Sequence, residues 1–243
     1  LLKDDALHQL EVLYTTRPVQ STKKHYGGRL LFSGDYLYMT MGERGHREFA
    51  QQLDTDLGKV LRFYDDGGIP DDNPFLEKGL ASVYTLGNRN PQGVSVHPET
   101  DEVWAAEHGP LGGDELNLIV PGANYGWPMV SYGQNYNGTP IGIGKTSAEG
   151  ITEPRYYWDP VIAPGGFAFY DGELFDTWKG DIIAGSLNPG GIVRLKLDGE
   201  RVSGEARYLG NLGRIRDVEI DRDGALLLLV DAPQGSVVRV TPK

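Results

Sequence analysis

Cysteine does not occur in this chain of 243 residues. Its absence excludes disulfide bonds, thiolate catalysis, iron–sulfur clusters and cysteine-ligated zinc. Long apolar runs are missing too, so we expect no insertion into a membrane. Helical periodicity is scarce, and the best candidate for a helix is the short stretch 49–57.

An excess of basic residues is also missing, because 23 lysines and arginines face 34 acidic residues and leave a net charge of −11. Phosphate binding requires clustered Lys and Arg, so we expect no nucleic-acid partner. The chain lacks the GxGxxG, Walker, HExxH and GxSxG motifs, so NAD-dependent or serine-hydrolase chemistry has no support.

Glycine and aromatic residues are abundant instead, with 34 glycines, 13 tyrosines and 4 tryptophans. Pairs of short strands with period-two alternation recur along the chain, separated by turns. The copies lie at 29–40, at 93–105, at 166–170 with 181–185, and at 217–229. Their spacing, roughly 50–75 residues, is typical of propeller blades with long loops. We interpret them as an all-β, antiparallel β-propeller, and a β-sandwich is the alternative.

Two polar, glycine-rich loops, 87–93 and 107–115, bracket the apolar run 94–96. Glycine allows the backbone to turn sharply or to approach a ligand closely. We therefore expect these loops to be the two ends of one strand that opens onto a binding site.

Single residues with reactive or anion-binding side chains add to these loops. His25 stands beside two glycines before a strand and is a candidate general base, although a surface histidine is the alternative. Arg89 and Asn90 can bind a carboxylate, or they can simply belong to a turn. Arg214 and Arg216 share one face of a strand, which indicates either an anion or acid opposite them or a solvated edge strand.

Oxygen ligands for a hard cation are concentrated after the second loop, at Asp114, Glu115, Asn117, Asn124 and Tyr125. Calcium takes carboxylate and carbonyl oxygens, and the carbonyls of Gly109 and Pro110 could serve a second ion. The pattern is not an EF-hand loop.

Seven colinear segments resemble the soluble pyrroloquinoline quinone (PQQ)-dependent sugar dehydrogenases, particularly the aldose sugar dehydrogenase branch. The matching segments are 25–29, 69–75, 89–93, 107–110, 113–115, 124–128 and 214–218. The resemblance implies a six-bladed β-propeller, with residues 1–243 in a single domain. It also implies that the family's N-terminal blade or blades, with a glutamine that contacts PQQ, precede the first residue here.

The resemblance further implies individual roles. His25 corresponds to the catalytic base, which takes the proton of the anomeric hydroxyl as hydride passes from C1 to the quinone. Arg89 and Asn90 correspond to residues that contact PQQ, and Arg89 polarises the reactive quinone oxygens. Arg214 and Arg216 correspond to the pair that faces the cofactor from the last blade. PQQ carries three carboxylates, and arginines are well suited to bind them.

Calcium and the rest of the cofactor pocket follow from the same resemblance. Glu115 and the Tyr125 carbonyl correspond to a structural calcium site, and Gly109 and Pro110 to carbonyls near the cofactor calcium. Two further positions belong to the cofactor pocket. Tyr136 corresponds to an aromatic residue of that pocket, and Asn188 stands where many relatives have a lysine. We therefore expect weaker PQQ binding than in the lysine-bearing relatives.

The function implied is the oxidation of aldose sugars to lactones by a PQQ- and calcium-dependent enzyme. Electrons would pass to a soluble acceptor, and the resemblance places the protein in the periplasm or outside the cell, as a monomer or homodimer. A calcium-dependent hydrolase of the lactonase type and a non-catalytic sugar-binding propeller are the alternatives. The histidine and the three arginines favour the dehydrogenase.

Overall fold

The computed structural model describes residues 10–242 and, among the first nine residues, only the backbone of 2–3 and 6–7. Strands β1 (Leu2–Lys3) and β2 (Ala6–Leu7) form an antiparallel ribbon. The other described strands form four antiparallel sheets, which we name sheets I to IV.

Each sheet is a meander in which consecutive strands pair. Sheet I contains β3 (Gly27–Ser33), β4 (Tyr36–Met41), β5 (Lys59–Tyr64) and β6 (Val83–Leu86). Sheet II contains β7 (Pro91–Val96), β8 (Val103–Glu107), β9 (Asp114–Leu118) and β10 (Tyr156–Trp158). Sheet III contains β11 (Pro164–Phe169), β12 (Ile182–Ser186), β13 (Ile192–Asp198) and β14 (Arg201–Tyr208). Sheet IV contains β15 (Ile215–Ile220), β16 (Leu226–Val230) and β17 (Ser236–Val240).

The four predicted strand pairs are confirmed, because each forms the first hairpin of one sheet. The first strands of successive sheets, which we call the innermost strands, contact one another in the order β3, β7, β11 and β15. Four sheets side by side around their first strands are typical of propeller blades and not of a two-sheet sandwich.

The core lies in layers between neighbouring sheets. Trp104 and Trp158 of sheet II pack with Phe167 and Ile182 of sheet III in one cluster. Similar clusters join sheet I to sheet II and sheet III to sheet IV. All five residues of β8 are buried because this strand has a neighbouring sheet on both faces. Burial on both faces explains why its first four residues are all apolar rather than alternating, and only Glu107 at its end is charged.

The predicted helix at 49–57 is wrong. The structure has a five-residue 3-10 helix over Arg47–Gln51, and Gln52 is already extended. Gly58 has φ +70°, and a Cβ there would lie 2.7 Å from the carbonyl oxygen of Asn88. The chain must therefore turn sharply into β5, which leaves no room for a longer helix. The other described helices are also short 3-10 turns, Asp176–Trp178 and Gly210–Leu212, and no helix in the described residues could cross a membrane.

Candidate active site

The two glycine-rich loops lie side by side at one end of the β7–β8 hairpin. The prediction that they occupy the two ends of one strand is wrong, because the chain reverses after β7 and Pro91 pairs with Glu107. Glu107 fastens the loops together: its carboxylate accepts hydrogen bonds from Asn88 Nδ2 (2.9 Å) and the Arg89 backbone N–H (2.6 Å). The buried Glu107 carboxylate therefore fixes the conformation of the loop that carries Arg89 and Asn90.

Arg89 is 6% exposed, and its guanidinium is held by the second loop. Nη1 donates to the carbonyls of His108 (3.0 Å) and Gly109 (2.7 Å), and the group lies 5.2 Å from the ring centre of Trp127. No residue in the described part of the chain accepts a hydrogen bond from Nε. The Gly109 carbonyl, predicted near a cofactor calcium, is therefore an Arg89 acceptor here.

His25 lies against a buried carboxylate. Its Nδ1 is 2.9 Å from Oε1 of Glu43, which is only 2% exposed. The Glu43 backbone N–H donates to the Arg89 carbonyl (2.9 Å), which connects the histidine to the arginine loop. His25 has φ +46°, and a Cβ at Gly42 would be 2.0 Å from the His25 carbonyl oxygen. The glycine thus permits the unusual backbone that presents the imidazole.

Asn90 and Arg216 are joined through Gln92. Asn90 Oδ1 accepts from the Gly27 backbone N–H and from Gln92 Nε2, each at 3.2 Å. Gln92 Oε1 in turn accepts from Arg216 Nη1 at 3.2 Å. A hydrogen-bonded chain therefore runs from sheet IV to the strand that follows His25.

Arg214 and Arg216 both donate to Oδ2 of Asp231, at 3.0 and 2.8 Å. The sequence predicts an anion or an acid opposite this arginine pair, and Asp231 is that acid. Hydrogen bonds from Arg216 and then Arg214 lower the pKa of Asp231, so the carboxylate is charged at neutral pH. The two guanidinium groups thus share one carboxylate, with one negative charge against two positive charges.

A small acidic pocket lies behind Arg89. Its lining includes the four positions predicted to bind metal, which are Gly109, Pro110, Glu115 and Tyr125. Glu107 lines the pocket as well. Burial raises the pKa of Glu107. Burial and the neighbouring Glu107 charge raise the pKa of Glu115 well above its usual value. Asn117 Nδ2 lies between the two, 3.1 Å from Glu107 and 3.4 Å from Glu115.

Calcium suits this donor set, because it accepts carboxylate and backbone carbonyl oxygens together. The carbonyls of Pro110 and Tyr125 accept no hydrogen bond from any residue that the structure describes. Within the same described residues, no group of three His, Cys, Asp or Glu side chains could hold a metal. Asp114 is not a free donor: its oxygens accept the backbone N–H groups of Gly109, Ile162 and Ala163.

Tyr136 and Asn188 lie at the edge of this arrangement. Tyr136 is 76% exposed and has no described contact with the other predicted site residues. Its neighbour Asn135 accepts a hydrogen bond from Arg47, whose guanidinium lies over the Trp127 ring. Asn188 is exposed, and the preceding Leu187 carbonyl accepts from Arg214 Nη1 at 3.2 Å.

The sequence profile of the glucose/sorbosone dehydrogenase family matches residues 1–239. The chain belongs to this family.

Named relatives support the family assignment. The chain is 38% identical to aldose sugar dehydrogenase YliI of Escherichia coli over all of its length and 67% of that protein. It is 29% identical to quinoprotein glucose dehydrogenase B of Acinetobacter calcoaceticus, with 89% of this chain and 61% of that one covered. The glucose/sorbosone dehydrogenase family is therefore a family of oxidoreductases.

Solved structures agree. The apo form of the soluble aldose sugar dehydrogenase of E. coli superposes with a TM-score of 0.96 at 37% identity, covering 100% of this chain and 72% of that one. The PQQ-bound aldose sugar dehydrogenase of Streptomyces coelicolor gives 0.74 at 29% identity, covering 92% and 63%. The chain thus has the all-β fold of these glucose and aldose sugar dehydrogenases.

Sequence reasoning missed several residues in this member of the glucose/sorbosone dehydrogenase family. Glu43 and Asp231 each stand in a loop after a strand, and Gln92 lies within β7. A Gly-Glu-Arg-Gly run around Glu43 is the one local signal available, because glycines on both sides mark a constrained loop. The partners of Gln92 and Asp231 are distant in sequence, and no local pattern could have found them.

Proposed function

We propose that the protein oxidises aldose sugars at C1 to the lactone, with PQQ as cofactor, calcium as metal and an external electron acceptor. The observation that carries the proposal is the His25–Glu43 pair at 2.9 Å, connected through Arg89 to an array of cationic and amide groups. A pure binding protein has no need for a buried carboxylate behind an imidazole. Two relatives, named a quinoprotein and a PQQ-bound dehydrogenase, support the choice of cofactor.

The residues divide the work as follows. Glu43 lies beside His25 Nδ1 and would orient the imidazole, which leaves Nε2 to accept the proton of the C1 hydroxyl. PQQ, when bound, supplies the two-electron acceptor for the C1 hydride. Arg89, Asn90, Arg214 and Arg216 bind and orient its anionic and carbonyl groups. Glu115 and the Tyr125 carbonyl would hold a structural calcium, and the carbonyls of Gly109 and Pro110 would lie near the cofactor calcium. Tyr136 and Asn188 would complete the edge of the cofactor pocket.

The complete fold is, on this proposal, one six-bladed propeller domain of which this chain supplies four blades. Leu30 and Phe32 on β3 are 60% and 62% exposed, and Val237 on β17 is 67% exposed, so both flanking sheets offer apolar surface to further blades. A crystal structure of the full-length gene product would decide the blade number. Periplasmic or secreted location and a monomeric or dimeric state are proposed with it, to be checked by cell fractionation and light scattering.

Dye reduction by the purified protein with PQQ, CaCl₂ and a panel of aldoses tests the function. We expect activity that His25→Gln lowers by about 10²–10⁴-fold, the usual contribution of a general base. His97→Gln is the matched control, because His97 lies in the turn at the opposite end of the β7–β8 hairpin. Full activity in His25→Gln, or none in the parent with bound PQQ, would contradict the proposal.

A further inference from the structure

Every innermost strand carries a β-bulge near the end that faces the candidate site. The register shifts lie between Gly27 and Leu30 in β3, Pro91 and Gly93 in β7, Pro164 and Phe167 in β11, and Ile215 and Asp217 in β15. A bulge leaves one residue outside the ladder and turns its groups away from the strand partner. The four bulges therefore present unpaired backbone groups toward one another.

Arg29, in the β3 bulge, satisfies two of the other bulges. Its Nε donates to the carbonyl of Gln92 (2.6 Å), which is the extra residue of β7. Its Nη2 donates to the carbonyl of Arg216 (3.0 Å), the extra residue of β15. One side chain in sheet I thus holds the backbone of sheets II and IV.

Asp217 and Gly166 complete the junction. Arg29 Nη1 forms an ion pair with Asp217, next to the carbonyl that Nη2 binds. A Cβ at Gly166, in the β11 bulge, would lie 1.6 Å from Asp217 Oδ1 and 3.3 Å from Arg29 Nη2. The glycine leaves the space that the ion pair fills, so all four innermost strands meet at this pair.

The two residues held by Arg29 are those whose side chains meet in the candidate site. Arg216 and Gln92 are hydrogen-bonded to each other, and Gln92 continues to Asn90. We propose that Arg29 is a positioning residue: by fixing both backbones it aims Arg216 and Gln92 at the cofactor. This inference rests on the proposed function, and Arg29 itself touches neither sugar nor cofactor in it.

The test compares Arg29→Lys with the parent and with Asp181→Asn. The lysine keeps a cation beside Asp217 but cannot hold two carbonyls, while Asp181 pairs with Arg194 at the far end of sheet III and serves as the control. PQQ affinity is measured by absorbance titration at saturating CaCl₂. We expect Arg29→Lys to weaken binding on the order of tenfold and to lower kcat with the sugar KM unchanged. Asp181→Asn should change only thermal stability.

A purely structural role predicts a different pattern. Arg29→Lys would then bind PQQ as tightly as the parent and lose only thermal stability, and that result would overturn the inference. A crystal structure of cofactor-free Arg29→Lys gives a second, independent readout: we expect the Arg216–Gln92 contact to be broken, and an unchanged contact would also overturn the inference. If the parent fails to bind PQQ, the proposed function fails, and the crystal structure still decides the positioning role.

Discussion

The arginine region (Arg89, Arg214 and Arg216) and the acidic pocket around Glu107 and Glu115 differ in how far the protein itself compensates their charges. Arg214 and Arg216 share Asp231, and Arg89 is held by two carbonyls, so each cation already has protein acceptors. Glu107 and Glu115 lie across from each other in the β8–β9 ladder, and burial raises the pKa of each, with the Glu107 charge adding to the rise at Glu115. The cations of the arginine region thus have protein acceptors, whereas the acidic pocket holds two facing carboxylates whose pKa values are raised.

Among changes to the charged groups, removing a cation from the arginine region should have the largest effect on PQQ affinity. Arg216→Met loses the contacts to Asp231 and Gln92, and we expect PQQ affinity to fall about tenfold or more, since a charge-assisted hydrogen bond contributes roughly 1.5–3 kcal/mol. Absorbance titration measures it. The control is Arg239→Met, because Arg239 also pairs with carboxylates of sheet IV, away from the site. Equal losses in both variants would mean that the arginine region is not the anion site.

The acidic pocket is tested by Glu115→Gln. At a calcium concentration a hundredfold above Kd, we expect the parent to gain about 2.7 kcal/mol of unfolding free energy. The variant should lose most of that gain, because one of the two carboxylates of the pocket is neutral. Chemical denaturation with CaCl₂ or with EDTA gives both values, and Glu99→Gln on the exposed far turn is the control. Equal calcium stabilisation in Glu115→Gln would show that the pocket does not bind the ion.

Lys59 is a third case, a buried ammonium group whose hydrogen bonds all go to backbone carbonyls. Its Nζ donates to the carbonyls of Phe49, Ala50 and Leu57, and burial lowers its pKa to about 7 from 10.5. Between about pH 7 and 10.5 the unfolded state therefore keeps the Lys59 proton while the folded state releases it. The free energy of unfolding should consequently rise with pH from about 7 upward.

The measurement is the unfolding free energy of the parent and of Lys59→Met at pH 7 and 8.5. We expect the difference between them to change in favour of the parent by about 1–2 kcal/mol, because one pKa unit corresponds to about 1.4 kcal/mol. A difference that does not vary with pH would show that the ammonium group keeps its ordinary pKa.

Adding a cation at the exposed edge should have the smallest effect. Asn188→Lys places a charge beside Arg214, and we expect PQQ affinity to rise severalfold at most, since exposed ion pairs contribute up to about 1 kcal/mol. The gain should disappear at high salt. Equal affinity in parent and variant would refute the expectation that the missing lysine weakens cofactor binding.

Sequence reasoning predicted what local patterns determine. The four hairpins are predictable because alternation and turn residues are local. For Arg214 and Arg216 the sequence leaves an anion, an acid or a solvated edge open, and the structure places Asp231 against both. The helix predicted at 49–57 is wrong because Gly58 lies close to Asn88, a contact with a residue that is distant in the sequence. The loops 87–93 and 107–115 lie at the same end because the chain reverses between β7 and β8, which pairs Pro91 with Glu107.

The contacts that connect the sheets could not be predicted. Arg29 meets Asp217 and Arg216 meets Gln92 across separate sheets, and nothing in their neighbourhoods specifies the partner. Glu43 likewise becomes the partner of His25 only because β3 and β4 pair and bring the two loops together.

The central claim is that His25 accepts a proton while the arginine region holds the cofactor. Anaerobic stopped-flow mixing of the PQQ- and calcium-loaded protein with glucose tests it most directly, by following reduction of the bound quinone. We expect rapid reduction in the parent, and in His25→Gln unchanged PQQ affinity with reduction slowed by about 10²-fold or more. Reduction at the parent rate in His25→Gln would contradict the account.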